Sequence, residues 1–209
     1  MDLHNQRSEY ALGQLSRADL DKNPIRQFEQ WLSVVVDSDF RDPTAMVLAT
    51  VDEHGCPNQR YVLLKKVDDK GFVFFTDTSS AKGKELAQNP KASLLFPWHF
   101  MERQVRVRGE VESLSRSQVL NYFKSRPIES QQAAACSQQS EPISSREALQ
   151  TAFSAMQDLD DVVLPDRWGG YLLNPQSFEF WQGGKNRLHD RFQYSRLKND
   201  QWSIERLQP

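Results

Sequence analysis

The stretch RQVRVRGEVESL, Arg103 to Leu114, decides the fold. Val105, Val107 and Val111 fall on one side of an alternation, with Gln104, Arg106, Arg108 and Glu110 on the other. Strand side chains point to opposite faces with period two, so this pattern predicts a strand with one face in a core. Outward toward the N-terminus lie TAMVLATV (44–51), RYVLLKKV (60–67), GFVFFT (71–76) and KASLLFPW (91–98). All four are short and rich in β-branched and aromatic residues, as strands are. DEHG and DDKG separate the first three and read as tight turns. On the C-terminal side, YLLN (171–174), SFEFWQ (177–182), the stretch around Arg187 and WSIERL (202–207) read as the last strands. Consecutive strands with so little helix between them predict an antiparallel barrel rather than a βαβ sheet.

Helices flank this body. Asn23-Pro24 combines a capping side chain with proline at the first helical position. Phe28, Trp31, Leu32 and Val35 follow at helical spacing, one apolar stripe for the core. SSAKGKELAQNP predicts a short helix ending near Asn89-Pro90. Ser115 is placed to cap SRSQVLNYFKSR, which stops before Pro127, and Ser144 with Glu147 reads as a capping box ahead of REALQTAFSAM. Between these two helices, PIESQQAAACSQQSEP (127–142) is polar and rich in small residues. It reads either as a linker or as a segment whose Ser and Gln side chains hydrogen-bond a ligand. The expected organisation is one domain over 1–209, with a mobile arm over about 1–20 and a helical insertion over about 115–160.

The formal net charge of −2 and a pI near 6.1 argue against a nucleic-acid binder, which carries a basic footprint on the scale of a domain. Any anion site must therefore be local. Cys56 and Cys136 lie far apart, with no CxxC or Cys/His ligand spacing, so neither a metal nor a disulfide is indicated. The N-terminus lacks the apolar core of a secretion signal, and no apolar run approaches a membrane span. A reduced, cytoplasmic protein is the expectation.

The common nucleotide, metal and hydrolase motifs are absent. What remains is a set of cations beside strands and helix ends: Arg60, Lys65, Lys82, Lys84, Arg126, Arg187 and Arg191. A helix N-terminus with nearby lysines can take a phosphate, and arginine grips one bidentately. Two clusters of this kind suit two phosphorylated ligands. If the residues after Gly183-Gly184 in EFWQGGKNRLHDR (179–191) form a strand, Arg187, His189 and Arg191 share one face beside Trp181. Such a face suits a planar anionic ligand; the alternative is a hairpin with a solvated basic side.

The succession RYVLLK, FFT, AKGKEL, LLFPWHF, ERQVRVRG, YFKSRPIESQ, QQS, FEFWQGG and RLHDR resembles the pyridoxamine 5′-phosphate oxidase family, flavin enzymes of vitamin B6 metabolism. It extends from RSEY near the N-terminus to WSIERLQP at the end, and the spaced pair FWQGG and RLHDR is its most specific part. The resemblance implies a mainly β, FMN-binding split β-barrel with flanking helices, and a homodimer. It also implies oxidation of pyridoxamine or pyridoxine 5′-phosphate by molecular oxygen, giving pyridoxal 5′-phosphate and hydrogen peroxide.

Residue by residue, the resemblance assigns FMN to Arg60, Tyr61, Val62, Leu63, Lys65, Phe75, Thr76, Lys82, Gln104, Gln139, Ser140, Trp181 and Arg191. It assigns the substrate to Lys65, Tyr122, Arg126 and Ser130 around its phosphate, with Arg187 and His189 beside its ring and Arg7 and Tyr10 of the arm over it. Arg187 and His189 would be the catalytic pair; the sequence leaves open whether His189 binds or moves a proton. Three departures stand out, one being that QQAAACS after Ser130 lacks the glycine and larger apolar residue the resemblance implies. Ala81 occupies a position where the resemblance implies an arginine, and Phe75 one where it implies a tyrosine. A non-catalytic flavin or pyridoxal phosphate carrier, or another flavin oxidoreductase, would not need the complete Lys65, Tyr122, Arg126, Ser130, Arg187 and His189 set.

Overall fold

The computed structural model describes residues 1–6 and 8–209. Its strands are β1 (Ala45–Val51), β2 (Pro57–Leu63), β3 (Lys66–Asp68), β4 (Gly71–Asp77), β5 (Lys91–Trp98), β6 (Arg103–Ser113), β7 (Trp168–Gln182), β8 (Asp190–Arg196) and β9 (Trp202–Leu207). They make one nine-stranded sheet in the order β2-β1-β5-β6-β7-β4-β3, with β8 on β7 and β9 on β8. Every pairing is antiparallel. The two ends of that order, β2 and β3, are separated in the chain only by Leu64 and Lys65. The Leu64 N–H donates to Thr44 O beside β1, and the Lys65 N–H donates to Val73 O on β4, both at 2.9 Å. Two residues cannot span an open sheet, since an extended chain covers only about 3.3–3.6 Å per residue. The sheet therefore curls until its edges meet at a seam.

This seam corrects one sequence expectation. RYVLLKKV is not a single strand; it breaks at Leu64-Lys65, where the chain passes from one sheet edge to the other. YLLN and SFEFWQ are joined in the opposite sense, as parts of the fifteen-residue β7. Its first half lies between β4 and β6 and its second between β6 and β8. The register of β6 on β7 shifts between Arg108 and Gly109. A Cβ on Gly109 would stand 2.0 Å from Asn174 O, so a side chain is excluded where the two strands crowd.

Inward residues of the sheet and the stripe of α1 (Pro24–Val36) share one aromatic core. Phe28 packs edge-on against Phe72 at 4.9 Å and lies 4.6 Å from Phe96, and all three rings are fully buried. Asn23 caps α1 by accepting from the Ile25 N–H. The other helices are α2 (Ala81–Gln88), α3 (Arg116–Ser125), α4 (Ile128–Cys136) and α5 (Arg146–Ser154). Two details differ from expectation. Ser145, not Ser144, caps α5, accepting from the Ala148 N–H. The polar stretch after Pro127 is largely the helix α4, whose buried residues are Gln131 and Gln132. Their amides bond the backbone carbonyls of Arg126 and Leu159, so amide side chains do the anchoring that apolar ones usually do. A second apolar cluster, Val119, Phe123, Val162, Leu164 and Trp168, fixes these helices to the start of β7.

The N-terminal arm lies against the barrel. The Leu12 N–H donates to Glu102 at 2.8 Å, the Leu15 N–H donates to Asp190 at 2.9 Å, and Leu15 and Leu20 are buried. Among the described residues no helix is long and apolar enough to cross a membrane.

Candidate functional site

A cavity of ≈1350 Å³ opens where the seam, β4, the start of α2 and the α3–α5 insertion meet. β2 contributes Arg60, Tyr61, Val62 and Leu63; Lys65 comes from the seam, and Phe75, Thr76 and Asp77 from β4. α2 adds Lys82, the insertion adds Tyr122, Arg126 and Ser130, and the loop after α4 adds Gln139. Local sequence explains how α2 presents its lysine. Ser80 caps the helix, and Gly83 lets it seat against β4, because a Cβ there would stand 2.1 Å from Thr78 O.

The electrostatics point to anionic ligands. The Lys82 side chain is buried, 7 % exposed, and its hydrogen-bond acceptors are neutral: Gln139 Oε1 and, at 3.3 Å, Ser80 Oγ. Burial pushes its pKa below the ordinary lysine value and the nearby Arg60 charge pushes it the same way, while the Asp77 and Glu85 carboxylates push it partly back. A desolvated ammonium on neutral partners gains strongly from an anion. Gln139 Oε1 also accepts from Thr76 Oγ1 at 2.9 Å, and Ser140 Oγ accepts from the Ala81 N–H at 3.2 Å. Arg60 is already engaged, Nη2 donating to the buried Glu85 at 3.1 Å and Nη1 to Thr50. Asn58 donates to the other Glu85 oxygen at 2.8 Å.

Arg126 is different. Its guanidinium lies 4.8 Å from the Trp168 ring centre, and its buried Nη1 has no hydrogen-bond partner. Burial lowers its pKa from the ordinary arginine value and raises that of neighbouring Tyr122. Tyr122 and Phe75 stack at 3.9 Å, and Phe75 and Trp168 stack at 5.4 Å, so a wall of parallel rings faces the cavity. Orphaned cationic donors beside flat rings match a phosphorylated aromatic ligand.

The other expected residues form separate groups in the chain. Gln104, Trp181 and Arg191 make one row across β6, β7 and β8. Arg191 Nε donates to Glu179 at 2.9 Å and Nη1 to Gln208 O at 2.8 Å. Tyr10 of the arm packs edge-on against Trp181 at 5.6 Å and His189 at 5.4 Å, with the Arg187 guanidinium 5.6 Å from its ring centre. None of Tyr10, Gln104, Trp181, Arg187, His189 and Arg191 lines the cavity. Arg7 lies outside the described residues.

The shared face expected for Arg187, His189 and Arg191 is not formed. Lys185–Arg187 is a short 3-10 turn, and β8 begins only at Asp190. The reversal falls on Asn186 and Arg187, with φ of 56° and 64°, and not on the glycines. Those serve close approach: a Cβ on Gly183 would stand 2.9 Å from the Tyr10 ring, and one on Gly184 2.3 Å from Leu188 O. The Gly184 N–H donates to His189 Nδ1 at 3.1 Å. A backbone N–H can only donate, so Nδ1 is the bare nitrogen and the neutral ring carries its proton on Nε2.

Sequence reasoning passed over Asp77, Glu85, Arg167 and Trp168. Asp77 and Glu85 are buried acids, and only their pairing with Arg167 and Arg60 reveals a role. Among the described residues no group of His, Cys, Asp and Glu side chains could hold a metal ion.

Known proteins share both the sequence and the architecture. The family model described as pyridoxamine 5′-phosphate oxidase matches residues 35–160, and that described as the pyridoxine 5′-phosphate oxidase C-terminal dimerisation region matches 168–209. The chain is 54% identical to the pyridoxine/pyridoxamine 5′-phosphate oxidase of Shewanella sp. (strain MR-7), covering 100% of this chain and 99% of that protein. The enzyme of that name from Shewanella baltica (strain OS155) gives the same identity and coverage. Among solved structures, PhzG from Burkholderia lata 383, in complex with tetrahydrophenazine-1-carboxylic acid, superposes with a TM-score of 0.88 at 31% identity, over 93% of this chain and 98% of its own. A pyridoxamine 5′-phosphate oxidase-related, FMN-binding protein from Nostoc punctiforme PCC 73102 has a TM-score of 0.75 at 19% identity, over 91% and 100% of the two chains, which shows a shared fold.

Proposed function

The chain belongs to the pyridoxamine 5′-phosphate oxidase family, and from that membership we propose that it oxidises pyridoxine and pyridoxamine 5′-phosphates to pyridoxal 5′-phosphate as an FMN-dependent homodimer. The observation that carries this reading is the buried, unpartnered Arg126 nitrogen in the same cavity as a desolvated Lys82 that has only neutral partners. One cavity with an orphaned arginine nitrogen and a desolvated lysine suits two phosphates, one on the cofactor and one on the substrate.

We assign FMN to Arg60, Tyr61, Val62, Leu63, Lys65, Phe75, Thr76, Lys82, Gln139 and Ser140, and the substrate phosphate to Lys65, Tyr122, Arg126 and Ser130. Bound FMN would supply the hydride acceptor and the route by which oxygen is reduced to hydrogen peroxide; the alcohol would give the aldehyde directly on losing its proton, and the amine an imine that water hydrolyses with release of ammonia. The protein's part is orientation and charge placement. Gln104, Trp181, Arg187, His189 and Arg191 are assigned to the same site, brought by a second copy across the dimer, with Tyr10 and Arg7 of the arm covering the substrate. The match of residues 168–209 to a dimerisation region supports this arrangement, because that segment carries four of the five. Arg187 would steady the anionic ring oxygen of the substrate, and His189 would donate to it through Nε2–H. We take residues 1–209 as one domain with an arm and a helical insertion. We place it in the cytoplasm, where Cys56 and Cys136, both free, remain reduced.

Purified protein should be yellow, release FMN rather than FAD, and form pyridoxal 5′-phosphate from pyridoxine 5′-phosphate only with oxygen. Arg126→Ala should raise KM about ten- to a hundredfold, the worth of a charge-assisted bond to phosphate. Equal use of phosphorylated and unphosphorylated pyridoxine would sink the reading.

A further inference from the structure

We propose that Arg167, the residue before β7, is a positioning residue that holds the loop after α4 in its FMN-binding conformation. This rests on the FMN assignment above. The last carbonyls of a helix have no partner within it and need donors from outside. For α4 those donors come from one guanidinium: Arg167 Nη2 lies 2.6 Å from Ala135 O, 2.9 Å from Ser137 O and 3.3 Å from Ala134 O. Arg167 Nε stands 3.1 Å from the carboxylate of Asp77, buried at the end of β4, an ion pair that lacks hydrogen-bond geometry. The main chain of Arg167 is pinned as well, its carbonyl accepting from the Thr78 N–H at 2.6 Å and from Thr78 Oγ1 at 2.8 Å. One side chain thus locks the end of α4 to the end of β4.

The loop released from that lock is the one carrying Gln139 and Ser140. Gln139 bonds Thr76 and Lys82, and Ser140 accepts from the Ala81 N–H at the start of α2. Four residues of the FMN group, Thr76, Lys82, Gln139 and Ser140, are therefore tied together by contacts that begin where Arg167 ends α4. Among the described residues, Arg126 and Ser130, at the opposite end of α4, share no hydrogen bond with Arg167. The inference is accordingly selective: loss of Arg167 should loosen FMN and spare the substrate phosphate.

The test titrates apo-protein with FMN, followed by quenching of flavin fluorescence, alongside thermal melts and kinetics at saturating FMN. Arg167→Leu should raise the Kd for FMN about ten- to a hundredfold, the range of a charge-assisted hydrogen bond converted to affinity. The KM for pyridoxine 5′-phosphate should stay within about twofold once FMN saturates, since about three tenths of a decade lies within ordinary context effects. Arg167→Lys keeps a charge near Asp77 but cannot reproduce the fork of a guanidinium. It should fold with a Tm near wild type and still bind FMN several times more weakly. A wild-type Kd in the lysine variant overturns the proposal even if the leucine variant does not fold. Parallel losses in FMN affinity and KM, following the drop in Tm, would make Arg167 a general staple and also overturn it. Failure of the unaltered protein to bind FMN would instead remove the functional reading itself.

Discussion

His189 shows what a single backbone hydrogen bond decides. Its sequence neighbourhood left binding and proton transfer equally open, because a histidine beside arginines suits both. The Gly184 N–H aimed at Nδ1 favours the first: with Nδ1 accepting, Nε2–H faces outward as a donor. A glutamine at this position can offer an amide N–H where Nε2 stood, whereas alanine offers nothing. His189→Gln should therefore keep turnover within about tenfold of wild type, while His189→Ala loses about 10²–10³, the usual cost of one placed donor. Equal losses in the two variants would point to a proton-transferring role. Arg187 could not have been read this way in advance. Its φ of 64° follows from closing the turn between Gly184 and β8, and nothing in KNRLHD marks that reversal.

Elements were legible where one local rule governed them and illegible where a distant partner did. The alternation of β6, the cap and proline of α1 and the start of α2 all stand as read. The break between β2 and β3 was hidden because Val, Leu and Lys carry no turn signal; closure of the sheet imposes it. α4 was hidden because its buried face is built from glutamines, which sequence patterns count as surface. Of the cavity, the cations and the QQS loop were visible from the chain, but the acids that balance them were not. The pairing of β6, β7 and β8 depends on such an acid. Glu179 is 6 % exposed and bonds both Arg106 and Arg191. Burial alone would raise its pKa, but the bonds from Arg191 and Arg106 outweigh that and hold it below the ordinary 4.5. A depressed carboxylate contributes stability above its ordinary pKa and loses it as the pH falls through the folded value. Breaking a fully buried pair costs about 3–5 kcal/mol, and the partial exposure of both arginines reduces this to about 2 kcal/mol. Glu179→Gln should thus lower Tm by about 4–8 °C at neutral pH. The gap should narrow as the pH drops below the ordinary glutamate range; a gap independent of pH would remove the ion pair as its cause.

On the scale of the molecule, the pocket lies against the seam where the sheet meets itself, so its walls come from residues far apart in the chain. β4 illustrates the dependence: among the described residues it pairs only with the three-residue β3 and with β7. Synthesis on a ribosome runs in one direction, and it delivers β7 only after the first 167 residues have emerged. Until then Phe75 and Thr76 have no strand to hold them, and the growing sheet ends at an unpaired β6. The curl can close only when the final fifth of the chain arrives, so cofactor loading should follow release rather than accompany nascent folding. Stalled chains carrying residues 1–167 should stay open to protease and take up no flavin, whereas released full-length chains become resistant as the colour develops. Protection of the stalled chain would contradict this. An N-terminal fragment is, on this view, a strand edge awaiting a partner, exposed for as long as translation takes to reach Trp168-Gly169-Gly170, the first residues of β7.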